Sequence, residues 1–293
     1  MSRVARQIVS IAGLGVVAIL LAAADSQAQA MHGLPTEGRG NDTKLNTRVG
    51  RPSVGKEEYK RYCAGCHGDR GDGQGENTQW IDPKPRDFTA ALFKCRCTPT
   101  GTLPTDEDLY QSIGRGFAST NMPSWLPLTG QVRADLVAYI KTFSPRWSQG
   151  HGTAISIPPE TPATVESMLR GRALFQKVEC WKCHGPAGHG DGPAASALID
   201  SKDNPIMPHN FSDGSRFKCG QTNEDLYRIF MTGVDGTPMP SFADNLKPAE
   251  AWDLVHFLRT LQPLKTPEAM AWKTWLQTHA NTLTPIGPET QQP

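Results

Sequence analysis

Two short stretches constrain this chain more than anything else in it: Cys63-Ala64-Gly65-Cys66-His67 and Cys180-Trp181-Lys182-Cys183-His184. Cys-x-x-Cys-His is the spacing that attaches c-type haem. Thiols three residues apart lie on one face of a helical turn, where each can form a thioether to a haem vinyl group. The adjoining histidine then turns its imidazole toward the iron. A zinc site would want a second close ligand pair for each motif, and none follows at finger-like spacing. A thioredoxin-like dithiol needs a βαβ setting, whereas these flanks read as Gly-rich loops and short helices. The expectation is two covalently bound haems.

The 293 residues leave room for two modest domains. The 28 glycines and 24 prolines favour short helices joined by long ordered loops. Residues 1–30 read as a signal peptide: Arg3 and Arg6 form a basic start, Ile8 to Ala24 is apolar, and Ala28-Gln29-Ala30 is a cleavage signal. An uncleaved membrane anchor is the competing reading of that run. Removing Arg3, Arg6 and Asp25 from the 30 basic and 29 acidic residues leaves 28 of each. A neutral chain carries no electrostatic footprint for nucleic acid. No later stretch is apolar enough to cross a bilayer.

The remaining chain is one unit written twice. Gly55-Lys56-Glu57-Glu58-Tyr59 answers Gly171-Arg172-Ala173-Leu174-Phe175, each opening a helix that runs to its Cys-x-x-Cys-His. Gly71-Asp72-Gly73 answers Gly188-His189-Gly190, and Pro85-Arg86-Asp87-Phe88 answers Pro208-His209-Asn210-Phe211. Phe93-Lys94-Cys95 answers Phe217-Lys218-Cys219. From Thr105 to Trp125 the match to Thr222–Phe242 has no gap. Each of these segments opens with Thr at an N-cap and acids in the first turn, the start of a helix.

A closing amphipathic helix carries Val132, Leu136, Val137, Tyr139, Ile140 and Phe143 in the first unit. Its counterpart carries Trp252, Leu254, Val255, Phe257, Leu258 and Leu261. Pro145 and Pro263 lie just beyond. The layout is a signal peptide (1–30), a mobile lead-in (31–50), a first domain (51–145), a linker (146–163), a second domain (164–263) and an extension (264–293). One more helix is expected over Pro267 to Thr278.

His67 and His184 are the expected proximal iron ligands. Met122 lies as far beyond His67 as Met239 lies beyond His184, and both precede Pro-Ser. Equal placement makes them the expected sixth ligands. His209 is the rival at the second iron; its counterpart is Arg86, so the first site offers no equivalent. Met207 and Met231 are expected to pack, and Trp80, Trp125 and Phe242 to pack on the porphyrin or the core rather than to relay electrons. Arg86, Lys94, His209 and Lys218 are nominated as donors to haem propionates. Of the other cysteines, Cys95 and Cys219 could meet only if the repeats dock about a pseudo-twofold axis, and Cys95 with Cys97 would be strained. A disulfide is the less expected outcome, and the sequence leaves the state of Cys95, Cys97 and Cys219 open. His32, His151, His189 and His279 show no metal pattern, and His256 reads as a core residue.

Cys-x-x-Cys-His-Gly, a Gly-rich loop, an acidic-Leu-Tyr helix, Met-Pro and an aromatic closing helix together resemble a class I c-type cytochrome. Two in tandem behind a signal peptide resemble the periplasmic dihaem cytochromes, over about Gly55 to Pro263. The resemblance implies a mostly α fold: two tandem domains, each a small helical wrap around one haem, with first and last helices crossing beside it. It also implies His/Met ligation and one-electron transfer with no substrate turned over. The partners would be redox proteins, membrane-bound or soluble, with no nucleic acid or small-molecule substrate. Membrane association would follow only from an uncleaved N-terminus. A fixed subunit of a respiratory oxidoreductase and a dihaem peroxidase are the alternatives. The Phe-Lys-Cys elements, the long interval from haem motif to Met, and the C-terminal extension depart from the simplest members.

Overall fold

In a computed structural model, residues 45, 47–118, 120–263 and 266–288 are described. The signal segment and nearly all of the lead-in lie outside them. Among the described residues the secondary structure is helical, with a lone bridge between Ile199 and Pro205 in place of any strand. No helix among them is long and apolar enough to cross a membrane.

The repeat in sequence becomes a repeat in structure. In the first half, α1 (Pro52–Tyr62) leads into the single turn α2 (Ala64–His67), followed by α3 (Asp106–Arg115) and α4 (Gly130–Ile140). In the second, α5 (Val165–Lys177) leads into α6 (Trp181–His184), then α7 (Asn223–Thr232) and α8 (Pro248–Leu261). A further helix, α9 (Pro267–His279), lies against the second half and buries Trp272. Each half has its own apolar core, one built around Tyr59, Tyr110 and Leu136, the other around Phe175, Tyr227 and Trp252.

The start of α3 and of α7 follows from the chain chemistry. Thr105 caps α3 by accepting from the Asp108 amide at 3.1 Å, and Asp108 accepts from the Thr105 amide at 2.9 Å. Thr222 and Asp225 repeat this capping box at 3.1 and 3.0 Å. Each box satisfies two orphan amides at a helix start.

First and last helices of each half cross where one residue has no side chain. A Cβ on Gly55 would overlap the Asp135 carbonyl, and one on Gly171 would overlap the Asp253 carbonyl. These glycines permit backbone-to-backbone approach of α1 on α4 and α5 on α8. Each crossing is pinned by an ion pair to the same aspartates, Arg51–Asp135 and Arg170–Asp253, both at 2.7 Å.

Several expectations need correction. The first closing helix is α-helical only to Ile140; Lys141–Phe143 tightens into a 3₁₀ turn, and a second follows over Pro145–Gln149. The last residues of the lead-in pack rather than wander: the Leu45 amide donates to Glu107 at 2.8 Å, and Gly50 lies against the Ala134 carbonyl. Met207, expected to pack, is 68% exposed, and Trp80, at 78% exposed, lies off the protein core. Cys95 and Cys219, whose pairing the sequence left open as the less expected outcome, form a disulfide between the halves.

That bond sits in a polar seam. Arg96, its side chain fully buried, reaches across to Asp235 at 2.8 Å, and Thr100 donates to the Thr232 carbonyl at 2.6 Å. Lys202 pairs with Asp87 at 3.0 Å. A buried arginine is stable only when paired and hydrogen-bonded, which makes this docking specific. The halves therefore meet through equivalent Cys positions, the arrangement the sequence named as the condition for pairing. Cys97 remains a thiol and donates to Asp108 Oδ2 at 3.2 Å.

Candidate haem-binding sites

In each half the Cys-x-x-Cys-His motif folds as one helical turn. The His67 amide donates to the Cys63 carbonyl at 2.9 Å, and the His184 amide to the Cys180 carbonyl at 2.9 Å. The Gly-rich loops then close back on the turn. Gly73 donates to the His67 carbonyl and Gly190 to the His184 carbonyl, both at 2.8 Å. The glycine pattern after each histidine thus satisfies the carbonyls that a four-residue helix leaves open.

Both imidazoles are oriented the same way. His67 Nδ1 lies 2.9 Å from the Arg86 carbonyl, and His184 Nδ1 lies 3.1 Å from the His209 carbonyl. A carbonyl only accepts, so Nδ1 carries the proton and Nε2 keeps its lone pair for a metal. Burial lowers the pKa of both rings, which keeps them neutral. Phe88 stacks on His67 with centroids 4.5 Å apart, and Phe211 stacks on His184 at 4.8 Å. The repeated Pro-x-x-Phe segment therefore supplies both the carbonyl and the phenyl that hold the imidazole. Sequence reasoning assigned these segments through the Arg86 and His209 side chains and named Phe88 and Phe211 only as matched positions of the repeat, with no role. The signal was the Phe common to both copies.

The motif cysteines do not have the character of a redox dithiol. Burial pushes the Cys63 and Cys180 thiols up to about 12, whereas reactive Cys-x-x-Cys thiols are shifted down. Among the described residues no cluster of His, Cys, Asp and Glu is arranged to hold a metal ion by itself.

The methionine loops are built alike. The Phe117 amide donates to the Met122 carbonyl and the Val234 amide to the Met239 carbonyl, both at 3.1 Å. The Met122 amide donates to Thr120 Oγ1 at 3.1 Å, and the Met239 amide to Thr237 Oγ1 at 3.2 Å. Ser124 ties the loop back to the Gly114 carbonyl at 2.7 Å, as Ser241 does to the Met231 carbonyl at 2.8 Å. Gly116 and Gly233, both at φ +66°, pass so close to the Met-Pro backbone that a Cβ would collide with it. The Thr in each loop was not singled out in the sequence, although it lies within the ungapped repeat.

In the first half these parts converge. A cavity of about 370 Å³ is lined by Cys63, Cys66, His67, Met122, Pro123 and Trp125, together with Arg86, Lys94 and Lys218. Cavities of ~300–1,000 Å³ are the usual range for bound cofactors. In the second half Met239, Phe242 and Cys180 pack against the apolar core. Met231 packs there as expected.

The four nominated propionate donors fit such a group. Among the described residues, no side chain hydrogen-bonds the Arg86 guanidinium or the Lys94 or Lys218 ammonium. Burial lowers the pKa of all three, Lys94 to about 8, and their mutual repulsion adds to it for both lysines. His209 Nε2 is buried without a partner, while its ring lies 4.5 Å from Phe217. The buried, unpartnered His209 Nε2 and the three half-buried cations call for an acceptor. His209 also gives its carbonyl to His184 Nδ1, which sets it on the proximal histidine's side of the second site. That placement counts against it as the rival sixth ligand.

A helical fold with two such constructions is that of a c-type electron-transfer protein with two tandem cytochrome c domains. Residues 168–262 match the family model described as cytochrome c, and residues 50–140 match that of cytochrome C oxidase, cbb3-type, subunit III. A chain of the reducing HAO-like protein complex of Kuenenia stuttgartiensis is 42% identical with a TM-score of 0.70, over 72% of this chain and 97% of that one. No curated protein matches. The chain belongs to the cytochrome c family, as a tandem c-type cytochrome that transfers electrons and binds haem c covalently.

Proposed function

We propose that the chain binds two haems, one per half, and passes single electrons between redox proteins as an exported component of a redox complex. Haem iron supplies a one-electron couple whose potential a thioether ligand raises relative to bis-histidine. Cys63 and Cys66 hold the first group, and Cys180 and Cys183 the second. His67 and His184 present Nε2, oriented by the Arg86 and His209 carbonyls. Met122 and Met239 present sulfur from loops stiffened by Pro123 and Pro240. Arg86, Lys94 and Lys218 neutralise the carboxylates, and His209 donates a hydrogen bond to them.

The observation that carries this reading is that the hydrogen bonds orienting the proximal histidine and shaping the methionine loop recur in both halves. A repeat preserved only for packing would not keep the same carbonyl on the same imidazole nitrogen. The role as a fixed subunit is favoured over a free carrier by the likeness to a chain from a redox complex across nearly all of that chain's length. A dihaem peroxidase would need one iron with a releasable position, and two equally built methionine loops argue for closed sites.

Reductive titration tests this. The purified protein should take up two electrons per chain in two one-electron waves, and neither reduced iron should bind carbon monoxide. Turnover of peroxide would overturn the carrier assignment. Purification from the native host should bring a catalytic partner with it, and N-terminal sequencing should begin at Met31.

A further inference from the structure

In the repeated Phe-Lys-Cys elements the phenylalanines belong to the two apolar cores, which leaves the lysines and cysteines accounted for by neither ligation nor packing. The elements meet back to back, because Cys95 of one bonds Cys219 of the other. The residue before each cysteine is thereby carried to the seam. Among the residues that line the first half's cavity, Lys218 alone comes from beyond residue 140. It joins Arg86 and Lys94, which belong to the first half. These cations repel one another closely enough to lower the proton affinity of both lysines. Asp200, Asp87 and Asp82 act on the group only through space. Three crowded, half-buried cations without a hydrogen-bonded anion are costly. The cost is offset if a group bearing two carboxylates lies among them.

Building on the two-haem reading, we propose that the disulfide-joined Phe-Lys-Cys elements form a cationic clamp across the seam, in which Lys218 of the second half holds a carboxylate of the haem in the first. Lys218 then positions and tunes a group in a domain to which it does not belong. The disulfide is what fixes it there. A cation beside the haem edge favours the added electron, so Lys218 raises the potential of the first site and not that of its own.

The test is potentiometric titration of the full-length holoprotein, following the visible spectrum. Met122→His and Met239→His each displace one wave and so label the waves by domain. Lys218→Met should lower the wave labelled by Met122, by roughly three- to tenfold in its reduction equilibrium, and leave the other in place. Lys218→Gln should repeat the shift, and Lys218→Arg should restore the parent value. Movement of the Met239-labelled wave alone, or of neither wave in holoprotein carrying both haems, would overturn the clamp. Absence of two waves in the parent protein would instead remove the two-haem reading beneath it.

Discussion

A methionine sulfur is a soft ligand that favours ferrous over ferric iron, so Met122 and Met239 are where single substitutions should speak most clearly. Met122→Ala should open one site, giving high-spin character and exogenous ligand binding at that haem alone. Met122→His should keep it low-spin and lower its potential. His209→Ala should leave the second haem low-spin, whereas Met239→Ala should not; optical and paramagnetic resonance spectra read both. These residues were legible because the repeat puts them in register. Arg86 and His209 were legible as positions but not in full role, because what each gives the proximal histidine is a main-chain carbonyl, common to every residue type. Met207 was misjudged for a related reason. It lies in a Pro-rich loop with no hydrophobic period, where apolar character alone does not say which way a side chain faces.

Helix crossings carry the stability of each half. Gly55→Ala and Gly171→Ala would each push a methyl into a backbone carbonyl that cannot move aside. Each should cost about 1–3 kcal/mol or more in denaturant unfolding. Asp135 links this crossing to pH. Burial would raise its pKa, but hydrogen bonds from Arg51 and Gln131 outweigh that and hold it below the ordinary carboxylate range. A depressed carboxylate stabilises above the unfolded value, near ~4, and loses that contribution as pH falls through the folded one. Asp135→Asn should therefore flatten the acid limb of the stability profile while lowering stability at neutral pH. Thr105 and Thr222 show how much of an element the sequence can declare, since both capping residues stand where the Thr and acidic pattern put them. The end of α4 was harder to read: apolar residues continue to Phe143, yet the backbone tightens before Pro145, which cannot donate to a continuing helix.

The docking of the halves is the feature the sequence could state only as a condition. Cys95 and Cys219 are 124 residues apart, and nothing local in either segment specifies the other. Their meeting depends on Arg96, Asp235, Thr100 and Thr232 forming a seam whose members share no motif. A bond closing so long a loop removes much freedom from the unfolded chain. Cys219→Ser should lower stability by about 3–5 kcal/mol in non-reducing unfolding, with both haems retained. The duplication itself was fully visible, because it is written in residues whose spacing the chemistry of attachment dictates. The account rests on that duplication producing two covalent sites. The most direct measurement is the intact mass of the mature protein after acid–organic extraction, which strips haem held only by its iron ligands. The account predicts a mass equal to the polypeptide plus two haems; one haem, or none, would contradict it.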